Sequence, residues 1–153
     1  MKALISILLL IPIFSSCASP SKSELDAEVK RLCAIDGGIK VYEMVKLPSD
    51  RFNEYGQINF YHPTRGESTL GSEYIFKQET YYYRQGSPEM SRSHYEIIRR
   101  TDKKLLGELI RYGRGGGDLS GPWHDSSFSC PDPKEGALNT LLKSIFVKQI
   151  GSQ

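Results

Sequence analysis

The sequence predicts an α+β domain: an N-terminal helix, an antiparallel meander of four or five strands, a C-terminal helix and one disulfide. Three observations carry that expectation. Apolar residues recur at helical spacing around residues 25–33 and again around 138–146. Between them lie stretches of roughly ten residues, rich in Tyr, Ile and alternating polar side chains and broken by short turns. A helix at each end of a run of strands is the pattern of helices packed on one face of an antiparallel sheet.

The elements follow in order. Ser21-Lys22-Ser23-Glu24 has the form of a capping box, in which the Ser hydroxyl and the Glu carboxylate satisfy free N–H groups. The helix it starts places Leu25, Val29, Leu32 and Cys33 on one face, and Asp36-Gly37-Gly38 ends it with a left-handed glycine cap. Ile39 to Leu47 alternates and reads as one strand, stopped by Pro48. A loop or single helical turn through Phe52 and Tyr55 follows, then a short strand at Ile58–Tyr61 and a loop over 62–72. Glu73–Arg84, Arg92–Arg100 and Lys104–Tyr112 are the main strands, joined by the turns Gln85-Gly86-Ser87-Pro88 and Thr101-Asp102-Lys103. Asp132-Pro133-Lys134-Glu135 reads as the start of the last helix, whose apolar face is Leu138, Leu141, Leu142, Ile145 and Phe146.

Composition bounds the function classes. A chain of 153 residues is one domain's worth, and a formal charge of +2 gives no electrostatic case for nucleic acid. At 39% hydrophobic and 25% charged it is neither disordered nor fibrous. Its one long apolar run, Ala3–Phe14, follows Met1-Lys2 and is too short to span a bilayer, so it reads as a signal segment.

Phe14-Ser15-Ser16-Cys17 closes that run and resembles the bacterial lipobox, with Phe14 where Leu is usual. The resemblance implies that residues 1–16 are a lipoprotein signal peptide and that Cys17 is acylated. Residues 17–22 are then a lipidated tether and 23–153 a single α+β domain. Ala18 in place of Asp implies the outer membrane, with the domain facing the periplasm. Acyl chains at Cys17 would make the lipid bilayer the first partner, at about 0.8 kcal/mol per buried CH₂.

Cys33 and Cys130 are the remaining thiols. In an oxidising compartment an even remainder reads as one disulfide. A metal site or a reactive thiol is the alternative, and no Cys-x-x-Cys spacing points to either.

Candidate chemistry is sparse. His62, His94 and His124 have no metal-ligand spacing, so no metal and no cofactor is expected. Trp123-His124-Asp125-Ser126-Ser127 holds the residue types of a hydrolase triad without a nucleophile elbow, and reads as a polar loop. Arg111-Tyr112-Gly113-Arg114-Gly115-Gly116-Gly117-Asp118 is no phosphate loop, because no helix follows it. Glu43, Glu96 and Glu108, with His94 or His124, are the groups a glycan hydrolase would use, although such strand carboxylates more often face solvent beside Arg. Tyr81-Tyr82-Tyr83-Arg84 places aromatics on both sheet faces, with at least one expected in the core. Exposed Tyr beside Arg is an interface composition and also fits stacking on sugar. The expected partner-binding set is therefore Tyr81, Tyr83, Arg84, Arg111, Arg114 and Trp123, and no catalytic residue is assigned.

Asp36-Gly37-Gly38-Ile39-Lys40-Val41-Tyr42-Glu43, Leu105 to Gly117, Gly121-Pro122-Trp123-His124 and Phe128-Ser129-Cys130-Pro131 together resemble a family of small lipoproteins of Gram-negative bacteria. The resemblance implies localisation and a shared fold and brings no activity with it. The expected function is a membrane-anchored, non-catalytic domain that binds a periplasmic or envelope protein as a complex component, an inhibitor or an immunity-type protein. The alternative is a cell-wall-active hydrolase built on the strand carboxylates.

Overall fold

Helix α1 (Lys22–Asp36) starts at the capping box: the Ser21 hydroxyl accepts from the Glu24 amide, and Glu24 Oε2 accepts from the Ser21 amide at 2.6 Å. The computed structural model describes residues 19–119, 121 and 124–149. The signal segment, Cys17 and Trp123 lie outside the described residues. Leu25, Val29 and Cys33 are buried against Met90, Ile110 and Tyr112, and Leu32 is half-buried at the margin. The helix ends at Gly37-Gly38 as the sequence predicts, and Gly38 is the glycine that takes a positive φ, 111°. Gly37 is extended, with φ −66°, and its lack of a side chain serves space, since a Cβ there would come within 2.6 Å of Cys33 Sγ.

The strands are β1 (Gly38–Val41), β2 (Val45–Leu47), β3 (Tyr74–Arg84), β4 (Glu89–Arg99), β5 (Leu105–Gly115), β6 (Ser127–Cys130) and β7 (Phe146–Lys148). Helix α2 (Leu138–Ile145) precedes β7. β3, β4 and β5 form the expected meander, and β1 and β6 complete a five-stranded antiparallel sheet. The α+β fold with a helix near each end is therefore as the sequence predicts.

Several local expectations change. Residues 39–47 are two strands. The chain breaks after Val41, where the amides of Tyr42 and Glu43 both donate to the Leu106 carbonyl, and β2 then pairs in parallel with β7. In place of a strand at 58–61 there is an isolated bridge, Phe52 to Ile58. β4 begins earlier and β5 runs further than predicted because their ends pair, Glu89 opposite Gly115. The last helix begins at Leu138, not near Asp132. Asp132 instead closes a turn, its carboxylate accepting from the Lys134 amide and its carbonyl from the Gly136 amide, both at 2.8 Å.

β1 and β6 share one edge of β5 end to end, β1 against residues 107–110 and β6 against residues 112–115. The Cys33–Cys130 disulfide sits at that junction, with Cα atoms 5.9 Å apart, and joins α1 to β6.

The two helices lie on opposite faces of the sheet, not on one face as the sequence predicts. Leu109, Ile97, Phe76 and Tyr74 pack with Leu141, Leu142, Ile145 and Phe146. Ile110, Tyr112 and Met90 pack with α1. Successive strand residues point to opposite faces, so the Leu109-Ile110 doublet makes β5 a strand buried on both sides. α2 lies close against the sheet at Gly107, where a Cβ would meet Ile145 Cδ1 at 2.8 Å.

Candidate functional site

β3 is the last strand in the order β1-β5-β4-β3, and among the described residues no strand pairs with its outer side. The loop around residues 63–69 flanks its residues 76–79. The rest of the edge is open. Tyr81, Tyr82 and Tyr83 are 63%, 46% and 47% exposed. None of the three reaches the core, which corrects the expectation that at least one would. The cores lie elsewhere, α1 over Met90 and Tyr112 and α2 over Phe76 and Ile97.

A register shift between Tyr82 and Arg84 turns Tyr83 toward Tyr81 and Tyr112. The Tyr81 and Tyr83 rings meet edge-on at 5.0 Å, and Tyr83 stacks on Tyr112 at 6.3 Å. Tyr112 is held from behind. Its hydroxyl donates to Asp36 Oδ1 at 2.8 Å, and Arg92 donates to that hydroxyl at 3.2 Å and to Asp36 Oδ2 at 3.4 Å. Burial, then the Asp36 hydrogen bond, pushes the Tyr112 hydroxyl up to about 12, so it stays a donor. Asp36, Arg92 and Tyr112 thus brace the exposed rings from beneath. Their separation in sequence hides this network, and only the β4–β5 register, Arg92 opposite Tyr112, reveals it.

The other expected contact residues separate. Arg84 stays at this edge, half-buried, with its Nε donating to the Pro88 carbonyl at 2.8 Å. Arg111 lines a small hollow with Ser91, Ser93 and Tyr95 on the opposite face. Arg114 is buried, 4% exposed, and donates to Asp26, Gly116 and Ser126. It is therefore a structural arginine, not a surface contact. β5 continues through the glycines around it as far as Gly115, and Gly116 and Gly117 turn the chain at φ 72° and 86°.

Of the three strand carboxylates, Glu96 and Glu108 come together and Glu43 stands apart. Glu108 meets His94 Nε2 at 2.7 Å and accepts from the Tyr42 hydroxyl at 2.6 Å, with Lys40 Nζ 3.5 Å away. Glu96 lies opposite Glu108 in the β4–β5 register. Glu43 faces away from this group, bonded to Arg99 and ion-paired with Lys104. His124 and Asp125 are exposed, while the Ser126 hydroxyl accepts from Lys22 and Arg114, so no triad forms there. Among the described residues no three His, Cys, Asp or Glu side chains gather as metal ligands. Among them, too, no helix is long and apolar enough to cross a membrane.

Burial pushes the Glu108 carboxyl upward, but the hydrogen bonds from Tyr42 and His94 and the charges of His94 and Lys40 outweigh it, so it sits below its ordinary value. A depressed carboxyl stabilises the fold above its unfolded value, near 4.3. That contribution is lost as pH falls through the lower folded value. Glu108→Gln is therefore expected to make the acid limb of stability against pH shallower below about pH 5. Urea midpoints measured across that range check this, and a limb identical to wild type would contradict it. No protein-family model, no curated protein and no solved structure matches the chain.

Proposed function

We propose that this chain is a lipid-anchored, non-catalytic binding domain. It is acylated at Cys17, held at the outer membrane facing the periplasm, and contacts an envelope or periplasmic protein through β3. The observation that carries the reading is the open edge at Tyr81–Tyr83, three adjacent exposed tyrosines on a strand whose outer side pairs with no strand among the described residues. A long aromatic edge invites pairing, and folded proteins ordinarily blunt such edges with charge, proline or a covering loop. Here the covering loop stops short of the tyrosines. An extended partner segment would add as a further strand, its main chain supplying hydrogen bonds and the Tyr81 and Tyr83 rings supplying contact area. The disulfide supports an oxidising compartment. The bracing of Tyr112 by Asp36 and Arg92 supports the contact by limiting the conformational freedom the rings lose on binding.

Photo-crosslinking side chains placed at residues 81 and 83 test the surface, with exposed Glu54 as the control position. Residues 81 and 83 are expected to yield a discrete heavier adduct in envelope fractions, and position 54 none. Tyr81→Ala with Tyr83→Ala is expected to cut recovery of that partner at least about tenfold without lowering stability. Identical adducts from all three positions, or none, would count against the edge. A palmitate analogue tests the anchor separately, since equal labelling of wild type and Cys17→Ala would remove it.

A further inference from the structure

On the other side of the sheet, a cavity of about 410 Å³ opens between residues 52–61 and α2. Its volume is that of a small-molecule site, in the range of ~300–1,000 Å³. Ile58, Leu142 and Phe146 give it an apolar floor, and among the described residues no carboxylate lines it. Gln57, Asn139, Tyr61 and Lys143 stand around that floor.

Among the described residues each of these polar groups keeps a donor free, although Gln57 Oε1 is already an acceptor within the loop. Asn53 spends its amide on the loop itself, accepting from the Tyr55 and Gln57 amides and donating to Gln57 Oε1. Among the described residues the Gln57 side-chain nitrogen, the Asn139 amide, the Tyr61 hydroxyl and the Lys143 ammonium have no intramolecular hydrogen-bond partner. Burial pushes the Tyr61 hydroxyl up, so it remains protonated and able to donate. One ammonium and no carboxylate disfavour a cationic ligand. Two carboxamides, each a donor and an acceptor, match a ligand that carries amides and hydroxyls. An apolar floor beneath them matches a ring with one CH-rich face.

We propose that this cavity binds an acetamido sugar, one or two pyranose rings of an N-acetylhexosamine glycan. The acetamido group pairs with the Asn139 or Gln57 carboxamide. The sugar's apolar face lies on Ile58, Leu142 and Phe146, and Lys143 and Tyr61 donate to its oxygens. The site is separate from β3, so one molecule can hold a glycan and a protein partner at once.

Titration of N,N′-diacetylchitobiose into the purified full chain, followed by amide NMR shifts, tests the proposal. Saturable shifts confined to residues 52–61 and 138–146 are expected. Asn139→Ala and Lys143→Ala are each expected to weaken binding by about three- to tenfold. Both side chains are exposed, so these variants keep the fold. Cellobiose, which lacks acetamido groups, is expected to bind at least about tenfold more weakly, and Tyr81→Ala with Tyr83→Ala to bind chitobiose as wild type does. Absence of saturation, shifts centred elsewhere, or variants that bind unchanged would overturn the site. Equal affinity for cellobiose would overturn the acetamido assignment.

Discussion

Replacing Cys33 and Cys130 together by alanine is expected to lower the unfolding free energy by roughly 3–5 kcal/mol. The bridge closes a loop with a sequence separation of 97. In the chain-entropy model a loop of about 100 residues contributes up to ~4.7 kcal/mol by restricting the unfolded chain. The native side adds to this. Cys33 is buried beside Val29, Ile110 and Tyr112, and Cys130 ends a four-residue strand whose hold on the sheet is its register with residues 112–115 of β5. Losing the bridge frees β6 and loosens the one edge where β1 and β6 meet. For a domain of this size the loss corresponds to a melting temperature lower by about 10–15 °C. Urea midpoints of the double variant, and of reduced wild type, measure it. A loss under about 1 kcal/mol in both would show that the bridge restrains neither state.

How much of this was legible in the sequence depends on whether the governing contact is local. The capping box at Ser21 and the three long strands were legible, because caps, turns and alternation are written within a few residues. The parallel β2–β7 pair was not, because it joins three-residue strands a hundred positions apart, Val45 opposite Phe146. Asp132, Pro133 and Glu135 have the residue types of a helix start, yet Gly136 falls within the first turn and the chain becomes helical only beyond it. The opposite-face placement of the helices was visible in principle in the Leu109-Ile110 doublet, since a strand covered on one side alternates and one covered on both does not.

The candidate site divides in the same way. Tyr81 and Tyr83 could be named from composition, and they are exposed together at one edge. The residues beneath them, Asp36, Arg92 and Tyr112, come from three elements and carry no shared motif. The amide-rich cavity escaped for the same reason, since Gln57 and Asn139 meet only after α2 has docked.

Replacement of the buried Arg114 is the second large effect. Arg114→Ala is expected to destabilise the domain by about 3–5 kcal/mol. Its guanidinium donates through Nε to Asp26 Oδ1 at 2.8 Å and through Nη2 to Asp26 Oδ2 at 3.3 Å. Nη1 donates to the carbonyls of Gly116 and Ser126, each at 2.8 Å, and to the Ser126 hydroxyl at 2.9 Å. A single side chain thus ties α1 to the turn after β5 and to the segment entering β6. Alanine would leave these acceptors facing a void. Asp26 is about a quarter exposed, 27%, so water recovers part of the loss there and the carbonyls supply the remainder. Lysine cannot reproduce the fork, and Arg114→Lys is expected to lose at least about 1 kcal/mol despite keeping the charge. Urea denaturation checks both variants, and that of Arg114→Ala, Asp26→Ala and the variant carrying both, read as a double-mutant cycle, separates the ion pair from the carbonyl contacts. The cycle also separates the two roles assigned to arginine in this chain. A surface contact would leave stability unchanged and weaken only partner capture, as expected of Tyr81→Ala with Tyr83→Ala. If Arg114→Ala left the urea midpoint at the wild-type value, the guanidinium would not be holding these three segments, and its burial would need another cause.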